Sequence, residues 1–232
     1  MRSALYDGSV EPEDLTLSKE RGLPDMEVLR HTTDIWPSMG GHVDISFGDR
    51  VISYGNYDDA SMYLIGTAGE GVLESIKREP YINFCVTYSK KIIIGYGLKL
   101  SEDEKNLIKK AIDELFEQTI PWEPPAKAFE NKKQPLAMKE ATDYASELYK
   151  ATDAEFFKFK TGSRYKSYFG LYMNCARVAD EILGHLGLDK ISFNGIFSPG
   201  SYLNFLNNEF LRKDSIIISK TIYSTQTILK LT

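Results

Sequence analysis

The chain is short of the residues on which several kinds of chemistry depend. Among its 232 residues are two cysteines, Cys85 and Cys175, and three histidines, His31, His42 and His185. Two cysteines cannot build a disulfide framework for so long a chain, and no Cys-x-x-Cys pair supplies zinc spacing. Reduced thiols, as in a cytoplasm, are the expectation. Three dispersed histidines form no His-Glu-x-x-His or similar ligand pattern, so neither a metal nor a cofactor is expected. Positive charge is scarce as well: 28 Lys and Arg stand against 33 Asp and Glu, a net charge of −5. That leaves no basic footprint for nucleic acid. No run of 18 apolar residues occurs, and no membrane span is expected. The opening segment MRSALYDGSVEPEDLTLSKE lacks the apolar stretch of a signal peptide. Synthesis in the cytoplasm is expected, with any export using a signal-independent route.

What is present reads as an ordinary globular chain, 42% hydrophobic and 26% charged, long enough for one substantial core. Asp7-Gly8, Pro12 and Pro24 punctuate a polar N-terminal stretch, so residues 1–35 are expected to form an irregular lead-in and 36–232 a single domain. In His42-Val43-Asp44-Ile45-Ser46-Phe47 apolar and polar residues alternate with period two, the pattern of a half-buried strand. Gly48-Asp49-Arg50 then turns the chain into a returning strand, Val51 to Tyr54. Tyr81 to Tyr88 and Lys91 to Leu98 are two further expected strands.

Ser101-x-x-Glu104 is a capping box, and Leu107, Ile108, Ala111, Ile112, Leu115 and Phe116 recur at helical spacing behind it. Proline closes this helix before Pro121. With Pro121, Pro124, Pro125 and Pro135, residues 121–136 read as an irregular connection, and 101–150 as a helical insertion. A weaker helix is expected over 137–150 and a strand over 155–160. The helix opening at Asn174-Cys175 carries Val178, Ala179, Ile182, Leu183 and Leu186 on one face, with Gly187 as its stop. Ser198-Pro199 opens another helix, and two strands are expected between Ser215 and Leu231.

The chemistry concentrates in Cys175. A thiol in the first turn of a helix meets unpaired N–H groups and the positive end of the helix dipole, which favour a thiolate. The same N–H groups can hold the oxyanion of an acyl-transfer intermediate. A lone cysteine beside a helix is also, more often, a buried apolar residue. His42, whose side chain titrates near neutrality, is the natural base for such a thiol. His31 falls in the expected lead-in, His185 in the last turn of the cysteine helix, and Cys85 on an expected core strand.

The segments GHVDISFGDRVISYG and NCARVADEIL resemble the permuted papain-like cysteine enzymes. That group includes circularly permuted NlpC-type amidases and peptidases and the lecithin:retinol acyltransferase-like proteins. In all of them the histidine strand precedes the cysteine helix. The resemblance implies an α+β fold, an antiparallel sheet packed on the cysteine-bearing helix, with inserted helices. It implies Cys175 as nucleophile and His42 as general base. Members of the group often carry a second polar residue on the next strand to orient the imidazole. Here that stretch offers Ser53, Tyr54 and Asn56; Tyr54 aligns best, and Asp44 is the alternative. Trp36, Asp44, Asn174 and Tyr168 are expected to line the substrate cleft. The activity implied is a cysteine hydrolase acting on an amide, first of all in peptidoglycan peptides, in the manner of a bacterial effector or toxin with an immunity or delivery partner. The rival readings are a lipid acyltransferase or thioesterase, a protease acting on a partner protein, and a catalytically silent binding module.

Overall fold

The computed structural model describes residues 13–18, 23–32, 41–63, 68–170, 174–186 and 199–225. In chain order these form β1 (Glu13–Ser18), β2 (Met26–His31), β3 (His42–Phe47), β4 (Arg50–Gly55), β5 (Ala68–Glu70), β6 (Val72–Lys77) and α1 (Arg78–Asn83). A π-helical turn over Phe84–Tyr88 leads to β7 (Ile93–Leu98), α2 (Glu102–Glu117), β8 (Thr119–Trp122), α3 (Pro125–Asn131), α4 (Pro135–Glu140) and α5 (Tyr144–Thr152). The chain continues through β9 (Glu155–Phe159), β10 (Ser167–Phe169), α6 (Cys175–Gly184), α7 (Pro199–Leu211) and β11 (Ile217–Ser224).

Nine of these strands form one sheet in the order β1-β11-β7-β2-β3-β4-β6-β9-β8, and β5 pairs with β10 beside it. Every neighbouring pair is antiparallel. Period-two alternation sorts the side chains onto two faces, and both are buried. One face carries Val28, Val43, Ile45, Ile52, Tyr54 and Leu73, which pack with α2, α6 and α7. The other carries Leu29, Val51, Val72 and Ile76, covered by α1, the π-helical turn and α5. The result is an α+β fold with helices on both sides of a large antiparallel sheet.

The expected β3–β4 hairpin forms, with Gly48 in its turn at φ +63, a left-handed conformation glycine adopts without strain. The capping box of α2 is present in full: Ser101 Oγ accepts from the Glu104 N–H, and Glu104 accepts from the Ser101 N–H at 2.8 Å.

Several expectations are overturned. Residues 13–18 and 26–31 are not an irregular lead-in, because β1 and β2 are strands of the main sheet and β2 lies in its middle. Its alternation was disguised by Glu27, Arg30 and His31, all buried. Glu27 is satisfied by Arg78 and by the Tyr223 hydroxyl, which donates to it at 2.8 Å. Those partners lie 51 and 196 positions away and leave no local trace. Tyr81 to Tyr88 is helical rather than extended; a short apolar run does not distinguish the two by pattern alone. Residues 121–136 are ordered, with Pro125 and Pro135 in the first turns of α3 and α4, where a missing N–H costs nothing. Pro121 sits on the edge strand β8, which tolerates it for the same reason. Residues 101–150 are mainly helical, and within them β8 joins the main sheet. Of the two expected closing strands the described residues hold one, β11; residues 226–232 lie outside the described residues, as do Trp36, Gly187 and Ser198.

Candidate active site

Helix α6 starts at Cys175 because Asn174 caps it. Asn174 is extended, its Oδ1 accepts from the Ala176 N–H at 3.1 Å, and its Nδ2 donates to the Gly170 carbonyl at 2.9 Å. Cys175 therefore occupies the first helical position, among N–H groups that have no partner four residues back. It is 1% exposed and packs on the α6 side of the sheet.

His42 reaches it from the opposite face. On β3, Val43 and Ile45 point toward α6, while His42, Asp44 and Ser46 point the other way. His42 is the first residue of the strand, so its ring sits at the sheet's end, where it hydrogen-bonds the Cys175 thiol. The approach depends on the residue before it. Gly41 has φ +117, and a Cβ there would lie 2.6 Å from the Arg30 guanidinium and 2.7 Å from the His31 carbonyl.

Asp44 binds the far side of the ring. His42 Nε2 is 2.7 Å from Asp44 Oδ1, and Ser53 Oγ and Tyr57 Oη each stand 2.9 Å from the same nitrogen. That engagement leaves Nδ1 for the thiol. His31, opposite His42 on β2, places its Nε2 2.7 Å from Asp44 Oδ2, and the Tyr81 hydroxyl donates to that oxygen at 2.8 Å. One fully buried carboxylate thus receives two imidazoles and a phenol.

The charges follow from this geometry. Burial alone would lower the His42 pKa, but Asp44 and Cys175 outweigh it and raise it well above the usual histidine value. Burial would raise the Asp44 carboxyl, yet the two histidines hold it far below the usual carboxylate range. For His31 burial prevails over Asp44 and lowers the pKa, so this ring stays neutral. Cys85, packed below under Tyr81 and Tyr144, has its thiol pushed up by burial.

The expected site residues are distributed unevenly. Cys175 and His42 come together. Tyr54 does not orient the imidazole: it lies one position out of phase, on the α6 face, and its hydroxyl donates to the Tyr165 carbonyl at 3.0 Å. Asp44 takes that place and is too deeply buried to contact substrate. Asn174 is committed to its cap. Tyr168 is half-buried, its ring 5.6 Å from that of Tyr54, and interacts electrostatically with Cys175. The sequence reading passed over His31, Tyr57 and Tyr81, and it set Ser53 behind Tyr54. The hairpin register extended from Ile45–Ile52 sets Ser53 opposite Asp44.

Among the described residues no group of His, Cys, Asp and Glu side chains could hold a metal ion, and no helix is long and apolar enough to cross a membrane. No protein-family model, curated protein or solved structure matches the chain.

Proposed function

We propose that the protein is a cysteine hydrolase in which Cys175 attacks a carbonyl carbon, His42 carries the proton and Asp44 orients the imidazole. One observation carries the reading: His42 is held between the first thiol of a helix and a buried carboxylate. An imidazolium beside the sulfur stabilises a thiolate, and with the Ala176 and Arg177 N–H groups given to Asn174, the Cys175 N–H at the head of α6 suits the oxyanion formed on attack. His42 then protonates the leaving nitrogen, and water, deprotonated by the same ring, resolves the acyl-enzyme. The histidine strand precedes the cysteine helix, and that helix packs on an antiparallel sheet, as in the permuted papain-like enzymes it resembles in sequence. The substrate we assign is a peptide amide, with peptidoglycan stems and cross-links first and a bacterial effector role following from that target.

The direct test is incubation with purified peptidoglycan. New amino termini should appear, and Cys175→Ala should prevent them. A hydroxylamine-labile mass acquired by Cys175 from a phospholipid, without such cleavage, would replace the amidase reading with acyl transfer. In the same preparation at about pH 6, iodoacetamide should modify Cys175 well before Cys85, whose thiol is pushed up by burial. Equal, slow labelling of both would remove the catalytic assignment.

A further inference from the structure

Acyl-transfer sites aim preorganised donors, usually more than one, at the oxyanion. The first turn of α6 supplies one, the Cys175 N–H, because those of Ala176 and Arg177 are given to Asn174. A second donor stands on the strand beside His42. Arg30 of β2 pairs with Val43 of β3, so its side chain shares the sheet face of Val28, Val43 and Ile45, the face on which Cys175 packs. It runs to the end of the sheet where β3 begins. There the guanidinium donates to the His31 carbonyl and lies against Gly41, in the room that a Cβ at that position would take. Arg30 is 4% exposed, and its charge acts on the sulfur: burial lowers the guanidinium pKa, while Cys175 and then Tyr96 oppose the shift. An arginine keeps its positive charge through such a change. The hydroxyls that also act on Cys175, those of Tyr54 and Tyr168, are pushed up by burial and stay neutral, and that of Tyr54 is given to the Tyr165 carbonyl.

We propose that the Arg30 guanidinium is the second oxyanion donor of the site, acting with the Cys175 N–H on the carbonyl oxygen of the scissile bond. The proposal rests on the reading of Cys175 and His42 as the catalytic pair. When the sulfur bonds to the carbonyl carbon, the π pair of the C=O bond moves onto oxygen. Negative charge passes from the sulfur to an atom two bonds away, still within the field of a guanidinium that acts on Cys175. When the intermediate collapses, that pair re-forms the C=O bond, the C–N bond breaks, and the nitrogen takes its proton from His42. The two cations have different tasks. His42 moves a proton, whereas Arg30 gives none and contributes a fixed charge and hydrogen bonds. With five N–H donors in a planar fork, a guanidinium can hold the His31 carbonyl and an oxyanion together. The His31 contact also sets it in place before substrate arrives, which is what makes such a donor effective.

The test compares iodoacetate with iodoacetamide on the full-length protein. Both are attacked by the same thiolate, so the ratio of their rates at Cys175 reads the charge around the attacked carbon and not the amount of thiolate. The carboxylate oxygens of iodoacetate lie one bond farther from that carbon than the oxyanion does. The ratio should exceed that of 2-mercaptoethanol, a neutral thiol; Arg30→Gln should lower it by about tenfold, and Arg30→Lys should keep most of it. On purified peptidoglycan, Arg30→Gln should cut the maximal rate by about 10²–10³-fold with little change in the half-saturating substrate concentration, and Arg30→Lys should recover part of the loss. His42→Ala removes the other cation and leaves Arg30 in place, so its ratio should still exceed that of 2-mercaptoethanol even if Arg30→Gln does not fold. A ratio equal to that of 2-mercaptoethanol in His42→Ala, or an unchanged ratio or maximal rate in folded Arg30→Gln, would overturn the assignment and leave Cys175-dependent hydrolysis standing. A loss in Tyr168→Phe with none in Arg30→Gln would transfer the role to Tyr168. An Arg30-dependent ratio in a protein that hydrolyses no peptide amide would overturn the hydrolase and the oxyanion role together.

Discussion

At Asp44 the placement of one charge decides the behaviour of two histidines. Burial makes a charged carboxylate costly unless it is paired, and here two imidazoles and the Tyr81 hydroxyl supply the partners. Because His31 remains neutral, it fixes the carboxylate without cancelling its charge, and that charge is available to His42. Asp44→Asn should therefore lower kcat/KM by about 10²–10⁴-fold, the range in which losing an orienting carboxylate disrupts an imidazole base. The variant should also shift the pH profile. Asp44 is the first of the groups that raise the His42 pKa, so its loss moves the alkaline limb, where the imidazolium is lost, to lower pH. A reduced rate with an unmoved limb would mean that Asp44 acts only through folding. At this scale Cys175 and His42 were legible, since a helix start and a strand start both leave local signatures. Asp44 was named twice, as a substrate contact and as the alternative to Tyr54 for orienting the imidazole. His31 was passed over because its partner is reached only when β2 and β3 pair.

At the scale of the element, β6 carries an unusual residue. Glu74 is fully buried between Val72 and Ile76, and neither carboxylate oxygen has a hydrogen-bond partner in the structure. Burial, followed by the charge of Asp44, raises its pKa well above 4.5, so it is neutral in the folded protein where the unfolded chain would ionise it. A raised folded-state pKa gives stability that is full below the unfolded value and is lost as pH rises through the folded one. Urea midpoints measured from about pH 4 to about pH 8 should thus fall more for the natural protein than for Glu74→Gln, whose side chain never ionises. Parallel curves would show that Glu74 is already ionised in the fold. The elements themselves were unequally readable. The hairpin and α2 declare themselves through alternation and a capping box, whereas α3 and α4 were hidden by prolines that start helices as readily as they interrupt them.

For the molecule as a whole, the order of strands matters more than their number. β2 enters the sheet between β7 and β3, with Val28 and Leu29 both fully buried, each worth about 1.5–3 kcal/mol of apolar burial. It also carries His31 to the site and Glu27 to Arg78 and Tyr223. Removing residues 1–31 should consequently abolish the cooperative thermal transition followed by circular dichroism, not merely trim a tail. A truncated chain that melts cooperatively near the original temperature would contradict the central position of β2.

By itself the sequence determined an acidic, mixed α and β chain, the β3–β4 hairpin, the capped helices and the placing of His42 at a strand start and Cys175 at a helix start, because composition, capping and short-period patterns act over a few residues. Only the tertiary structure decided that β2 is central, that Asp44 rather than Tyr54 holds the imidazole, and that Arg30 shares a sheet face with Cys175. Those features arise where strands distant in sequence lie side by side, and where buried charges find partners as far as 196 positions away.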